Sequence, residues 1–344
     1  MSDTNYDALL IQSFGGPEGP DDVIPFLENV LRGRNVPRER LLEVAKHYQQ
    51  FGGVSPINQQ CRELIDALRT ELQQHDIDLP IYWGNRNWQP MLADTLLHMQ
   101  RDGVQRVLTF VTSAFSSYSG CRQYREDVIK AKSATATDEL QIDKLRTFYN
   151  HPDFINVVSA AVRLSMEELQ QHDSTFVAFT AHSIPGSMAA GCNYEQQLHE
   201  SCRLVAERLK LPDERWELVY QSRSGRPQDP WLEPDICDFI ESLHERGVRN
   251  LVISPIGFIS DHMEVLFDLD TEAMDVCKRL NINMRRAATP GVQPQFIGMI
   301  HKLIQERLAG ADREAVGQFP ANHDVCPDDC CLSGVQMTAG RPRT

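Results

Sequence analysis

No run of apolar residues in the 344-residue chain approaches the roughly 20 needed to cross a bilayer as a helix. Positive charge is in deficit as well: 34 Lys and Arg stand against 48 Asp and Glu, a formal net charge of −14. Nucleic acids and anionic lipid surfaces are held by basic patches, so neither is expected as a partner, and no stable membrane association is expected. Residues 1–6 are polar and lead straight into an apolar strand, without the pattern of a secretory leader, so a cytoplasmic protein is expected. The glycines do not fall at Walker or dinucleotide-binding spacing; Gly15-Gly16-Pro17 and Gly52-Gly53 read as turns. A Gly-x-Ser-x-Gly elbow is missing too. Nucleotide chemistry and serine hydrolysis therefore lack support.

Apolar residues make up 41% of the chain, an ordinary globular content, and the length suits about two domains. Short apolar runs at 8–14, 79–84, 106–114, 175–181, 216–221 and 251–259 read as strands. Helical periodicity fills the intervals, at 21–32, 37–50, 61–75, 154–172 and 194–210, and a last helix covers 294–309. The two halves echo each other: 102–108 (Asp-Gly-Val-Gln-Arg-Val-Leu) matches 246–252 (Arg-Gly-Val-Arg-Asn-Leu-Val) at a constant offset of 144. The turn at 84–90 takes the place in its half that 221–230 takes in the other. Strands alternating with helices make βαβ units, so the expectation is an α/β protein of two similar Rossmann-like, doubly wound parallel-sheet domains with a cleft between them. The divisions are 1–150, 151–312 and a cysteine-rich tail at 313–344, with the last helix packing back across both halves.

The strand at 251–259 runs into Ser260-Asp261-His262-Met263-Glu264 and what reads as one helix. On it Glu264, Asp268 and Glu272 share a face, about 6 Å apart along the axis. Three like charges in a row cost stability unless solvent or a cation lies between them. An acidic stripe is commonly a solvated face, but this one begins at a strand's carboxyl end, where open α/β sheets bind ligands, and carboxylates suit hard cations. His182 closes the strand at 175–181 in the same half. An imidazole that titrates near neutral pH is a fitting proton acceptor beside such a row.

Nine cysteines in a reducing compartment are not expected to form disulfides. Cys61, Cys202, Cys237 and Cys277 lie in helical segments and read as small core residues, whereas Cys192 sits in a Gly/Ala-rich loop without an assigned role. Cys326-Pro327-Asp328-Asp329-Cys330-Cys331 gathers three thiols on a tail read as flexible, a pattern that suits an iron–sulfur or a zinc site or leaves free thiols. Three ligands are one short. Cys121, in the polar loop 116–124, can be the fourth.

Ser13-Phe14-Gly15-Gly16-Pro17, Gly52-Gly53-Val54-Ser55-Pro56, Ala181-His182-Ser183-Ile184-Pro185, Gln221-Ser222-Arg223-Ser224-Gly225 with Pro230-Trp231-Leu232, and Ser260-Asp261-His262-Met263-Glu264 together resemble the ferrochelatases, in that family's order and spacing over about residues 6–312. The resemblance implies a chelatase-like fold and an enzyme that inserts Fe2+ into a porphyrin, releasing two pyrrole protons in haem biosynthesis. It gives His182 the role of proton acceptor and first metal contact, with Glu264 its partner across the ring, and makes Asp268 and Glu272 an acidic metal path. Phe14 stands where many relatives that metallate coproporphyrin carry Tyr. A phenyl ring cannot ligate iron, so packing on the porphyrin face is its implied role.

Membrane-bound relatives that act on protoporphyrin carry an apolar lip just after the first helix; here 32–40 is polar and basic. Coproporphyrin III, with four propionates, is the expected substrate and protoporphyrin IX the alternative. A porphyrin or haem carrier without chemistry is the alternative of another class. Arg32, Arg34, His47, Tyr48, Ser55, Tyr124 and Arg125 could supply donors to propionates, and His47, Ser55 and Tyr124 fall where similar coproporphyrin enzymes place such contacts. Those enzymes use Arg at the position of Leu31, for which Arg32 can substitute. Some ferrochelatases hold a 2Fe–2S cluster on one internal and three C-terminal cysteines, which implies Cys121, Cys326, Cys330 and Cys331. Metallation moves no electron, so a structural or sensing role is expected for it. The partners implied are the porphyrin, Fe2+ and transiently the neighbouring haem-pathway enzymes, with the chain itself a monomer.

Overall fold

The structure is a computed structural model that describes residues 5–33, 36–170, 174–226 and 228–334; Arg34 lies outside the described residues. The first half runs β1 (Ala8–Ser13), α1 (Val23–Val30), α2 (Arg38–Gln50), α3 (Ile57–Gln74), β2 (Ile81–Asn85), α4 (Leu92–Arg101), β3 (Arg106–Val111), α5 (Gln123–Thr135) and β4 (Gln141–Lys144). The second runs α6 (Pro152–Leu169), β5 (Thr175–His182), α7 (Gly186–Ala189), α8 (Tyr194–Leu209), β6 (Trp216–Gln221), α9 (Ile236–Glu245), β7 (Asn250–Ser254), α10 (Met263–Phe267), α11 (Met274–Arg279), β8 (Asn283–Arg286) and α12 (Pro294–Leu308). Each half builds one four-stranded parallel sheet, in the orders β2-β1-β3-β4 and β6-β5-β7-β8. The two α/β halves with parallel sheets are therefore as expected.

Strand alternation explains why helices cover both faces. On β1, Leu9 and Ile11 enter one core while Ala8 and Leu10 enter another with Leu92, Leu96 and Met99 of α4. On β5, Phe176 and Ala178 meet Phe239 and Ile240 of α9. Val177, Phe179 and Ala181 point into the same core as Leu9 and Ile11. That core is continuous between the halves and is filled by α3, α6, α8 and α12. The last helix packs on α3 and on α6, as the sequence predicts.

The repeat is firmer than the sequence match alone. In both halves the turn closes on a proline carbonyl: Asn85 N donates to Pro90 O at 2.7 Å and Tyr220 N to Pro234 O at 2.8 Å. The structural partner of Pro90 is thus Pro234, not Pro230, and it restores the offset of 144.

Other boundaries differ for local reasons. β4 (Gln-Ile-Asp-Lys) and β8 (Asn-Met-Arg-Arg) are four-residue edge strands, too short and too polar to stand out as apolar runs. β7 stops at Ser254 because Pro255 cannot donate to a ladder. The helix expected over the acidic stretch is α10 followed by a π turn, Asp268–Ala273, and then α11. The loop expected at 116–124 contains a second π turn, Tyr118–Arg122, which feeds α5.

The expectation of a flexible tail is corrected. Val316 N donates to Asn150 O at 2.9 Å, Gln318 N to Glu200 Oε1 at 2.6 Å, and Asn322 Nδ2 to Ser116 Oγ at 3.1 Å. Arg122 reaches the carbonyls of Asp328 and Cys330 at 2.6 and 2.9 Å, and Arg125 those of Cys326 and Pro327 at 3.3 Å each. A chain without helix or strand still satisfies part of its backbone through side chains, so the tail is docked at intervals from Val316 to Cys330.

Candidate functional site

β5 ends at His182, whose register partner on β6 is Gln221. The next residue is fixed by two bonds of 2.8 Å: Ser183 N donates to Gln221 O, and Ser183 Oγ to Leu232 O. Nδ1 of His182 lies 2.5 Å from the Ser183 carbonyl oxygen. A carbonyl only accepts, so Nδ1 carries the proton and the Nε2 lone pair is left free. Nε2 faces Glu264 Oε2 at 3.6 Å, with the side chains 35% and 47% exposed, so both are open to an incoming ligand.

Glu264 owes its place to a clamp at the start of α10. Arg286, ending β8, donates to both oxygens of Asp261 at 3.1 and 3.0 Å and to Asp270 at 2.7 Å. Thr289 Oγ1 adds a bond of 3.1 Å, and Asp261 N donates to Gln60 Oε1 of α3 at 2.8 Å. A bidentate guanidinium fixes direction as well as distance. Residues from both halves thereby orient the acidic segment.

Asp268 lies one turn beyond Glu264 and accepts from Gln221 Nε2 at 3.3 Å and, closely, from the Ser222 hydroxyl. Burial pushes its carboxyl up to about 7; the charges of Glu264 and Glu272 add to the rise, and the two hydrogen bonds oppose it. Ser222 holds φ at +60°, a left-handed backbone that costs a non-glycine residue about 1 kcal/mol and here aims the hydroxyl at Asp268. Glu272 is raised by burial and by Asp235, the N-cap of α9, so the row continues to a fourth carboxyl. A π turn spends more residues per revolution than an α turn. It takes back the drift that an α-helix accumulates over eight residues and returns Glu272 toward the face of Glu264.

One expectation needs correction. His182 and Glu264 were to face each other across a porphyrin ring, but a flat ring needs about 3.5 Å of clearance on each side. At 3.6 Å apart the two groups stand edge to edge on one wall. Met263, the residue before Glu264, belongs to a buried apolar cluster with Phe26 and Tyr48, and Phe14 and Trp88 pack against it. Phe14 meets Phe26 edge-on at 6.3 Å, and the His47 ring stacks on Phe267 of α10 at 3.8 Å and 9°. The structure thus gathers His182, Glu264, Asp268 and Glu272, with Phe14 and His47 alongside. Arg32 is exposed in the turn after α1, and Leu31 packs on the aromatic cluster. Ser55 is buried, its N donating to Pro17 O at 2.9 Å. Tyr124 is buried under the Arg86 guanidinium, 3.8 Å from its ring, and Arg125 serves the tail.

Cys121, Cys326, Cys330 and Cys331 converge on one cavity of about 190 Å³, which Arg122, Tyr124, Arg125 and Lys144 also line. Sγ of Cys330 and Cys331 are 3.4 Å apart, and the left-handed backbone at Cys331 (φ +55°) turns neighbouring residues into the same space. The Cys121 thiol donates to Cys326, which brings Cys326 down to about 7 against the effect of burial, with Lys144 and Arg125 assisting. The same bond and burial raise Cys121. His323 was not anticipated, yet its ring lies with Cys326 and Cys330, ligand atoms within 4.8 Å of one another. Four soft donors in a cavity lined by Arg122, Arg125 and Lys144 as well as by Asp143 and Asp324 fit a metal–thiolate group. Gln221 and Ser183 were also missed as positioning groups; both lie inside motifs already visible in the sequence.

The acidic row gives a test of its own. A carboxyl raised in the fold stabilises the protein fully below its unfolded value near 4, and that stability is lost as pH climbs through about 7. Asp268→Asn should therefore raise stability at pH 8, on the order of 3 kcal/mol, and change little at pH 4. Urea midpoints at the two pH values check this; an equal shift at both would place the proton elsewhere.

Comparison with known proteins adds four matches. The sequence profile of the ferrochelatase family matches residues 6–308. A protein of Rhodopirellula baltica named ferrochelatase is 55% identical over 98% of this chain and 97% of its own length. One of Streptomyces coelicolor named coproporphyrin III ferrochelatase is 50% identical over 95% and 93%. Among solved structures, SirB from Bacillus subtilis with Fe3+ superposes with a TM-score of 0.56 at 12% identity, over 89% of this chain and 97% of that one, a likeness of fold.

Proposed function

Because the chain belongs to the ferrochelatase family, we propose that it inserts Fe2+ into coproporphyrin III, forming coprohaem for haem biosynthesis. The observation that carries this reading is the Nε2–Oε2 pair of His182 and Glu264, 3.6 Å apart at a strand end. An imidazole nitrogen and a carboxylate oxygen at that separation invite a cation. A proton or Fe2+ satisfies both. The reaction balances without redox change: two pyrrole N–H bonds break, Fe–N bonds form and two protons leave. Nε2 of His182 takes a pyrrole proton as its Nδ1–H stays on the Ser183 carbonyl. Asp268, titrating near 7, can accept a proton at neutral pH and return it to solvent. Glu264, Asp268 and Glu272 offer iron a graded series of oxygen ligands.

Coproporphyrin is favoured by the polar segment after α1. Arg32 is exposed, and Arg38 and Arg40 form exposed pairs with Glu28 and Glu43 at 3.2 and 3.0 Å, so the rim is charged where a membrane-facing lip would be apolar. No described helix is long and apolar enough to cross a membrane. Each charge-assisted bond to a propionate contributes about 1.5–3 kcal/mol. kcat/KM for coproporphyrin III should therefore exceed that for protoporphyrin IX by at least about tenfold; equal values, or the reverse order, would reassign the substrate.

Cys121, Cys326, Cys330 and Cys331 would hold a 2Fe–2S cluster. Such a group supplies a reversible one-electron couple, and the tail it would fasten is bound by Arg122 and Arg125 from the first half. Cys121→Ser should abolish the cluster's visible absorbance in anaerobically purified protein; an unchanged spectrum would remove Cys121 from the set. The chain divides at 1–150, 151–312 and 313–344, sharing the central core, and acts as a cytoplasmic monomer in transient contact with neighbouring haem-pathway enzymes. A dimer in gel filtration would contradict this last reading.

A further inference from the structure

Glu71, His75 and His301 form a second constellation, where α12 packs on α3, unused by the chemistry above. Glu71 lies in the last turn of α3, His75 is its C-cap, and His301 projects from α12. Nδ1 of His75 is 3.7 Å and Nδ1 of His301 3.6 Å from the same Glu71 oxygen, Oε1. The two imidazoles lie 4.0 Å apart between ring centres, and one ligand atom from each of the three residues falls within 4.8 Å of the others.

Three features of this cluster call for a cation. A carboxylate near a helix C-terminus opposes the helix dipole, and among the described residues no Lys or Arg pairs with Glu71. Both imidazoles turn Nδ1 toward the same carboxylate oxygen instead of toward separate partners. Each imidazole also has an orienting group on its other nitrogen or beside it. Nδ1 of His75 lies 3.0 Å from the Glu71 carbonyl oxygen, which leaves Nε2 free. The Gln305 side-chain amide nitrogen stands 3.3 Å from Nε2 of His301 and orients that ring through the nitrogen away from Glu71. Metal-bound histidines are held in this way, through the nitrogen that does not ligate.

We propose that Glu71, His75 and His301 bind a late divalent transition-metal ion of the zinc class, which staples α3 of the first half to α12. Two imidazoles and one carboxylate suit such an ion, with water in the fourth position. Tetrahedral bonds near 2.0–2.1 Å set ligand atoms about 3.4 Å apart, a contraction from the 4.8 Å within which one ligand atom of each residue already lies. Gly298, one turn before His301, sits close enough that an added Cβ would stand 3.7 Å from Glu71 Oε1, so the helices already meet closely here.

The test is equilibrium dialysis of the full chain against Zn2+ without porphyrin, followed by metal analysis and thermal unfolding. His182 and the tail thiols are identical in every variant, so their zinc cancels in the difference. His75→Ala, Glu71→Gln and His301→Ala should each bind one equivalent less than the unmodified chain, and the zinc-induced rise in Tm should shrink in all three. His75 is exposed, so His75→Ala also serves as the folded control and should insert iron at the unmodified rate. Equal stoichiometry in all four proteins would overturn the proposal. A loss confined to His301→Ala would overturn it too, since that pattern reports disturbed packing.

Discussion

His182→Ala should slow iron insertion by a factor of about 10²–10⁴, the range a positioned general base supplies. Its side chain is 35% exposed and its ring makes one bond, to the Ser183 carbonyl, so the loss should leave Tm nearly unchanged. Glu264→Gln keeps shape and volume but removes the anionic oxygen 3.6 Å from Nε2. It should reduce insertion to a similar degree while porphyrin binding, read from the shift of the Soret band, persists. That separation matters because both groups stand on one wall: if either mutation abolished binding but spared the rate on bound porphyrin, the pair would be a docking feature. Near-full activity in both variants would remove them from the chemistry.

Glu306→Ala should destabilise the fold by about 3–5 kcal/mol, the cost of leaving a buried charge without its partner. Arg146 and Glu306 are joined by two bonds of 2.8 Å, with side chains 0% and 3% exposed. Arg146 also donates to the Glu314 carbonyl at 2.8 Å, so one guanidinium ties β4's following segment, α12 and the tail together. Replacing both residues with apolar ones, as in Arg146→Met with Glu306→Leu, should recover most of the loss, because no charge is then stranded. Urea midpoints measure both. A double variant as unstable as the single one would mean that the tail carbonyl, not the ion pair, carries the effect.

Strand ends and motifs made the central pair legible. His182 and Glu264 follow apolar runs, and periodicity alone puts Asp268 and Glu272 near Glu264. Their side-by-side placement was not legible, since it depends on which strands are neighbours: β5 lies between β6 and β7, which brings the loop after β7 beside His182. The π turns at Tyr118–Arg122 and Asp268–Ala273 have no signature in residue type. Cys121 could be matched to the tail thiols by counting donors. Of the two arginines that dock the tail, Arg125 reads instead as a propionate donor, because a guanidinium suits a backbone carbonyl as well as a carboxylate. Glu71 and His75 share a helix face, but His301 joins them only through the packing of α12 on α3.

The most direct test of metal insertion at the His182–Glu264 wall is anaerobic mixing of the full chain with Fe2+ and coproporphyrin III in weak buffer, followed by absorbance and a pH indicator. Collapse of the free-base visible bands, with two protons released per iron consumed, is the result this geometry requires. A porphyrin that binds and keeps its free-base spectrum, with no proton release, would contradict it and leave a carrier.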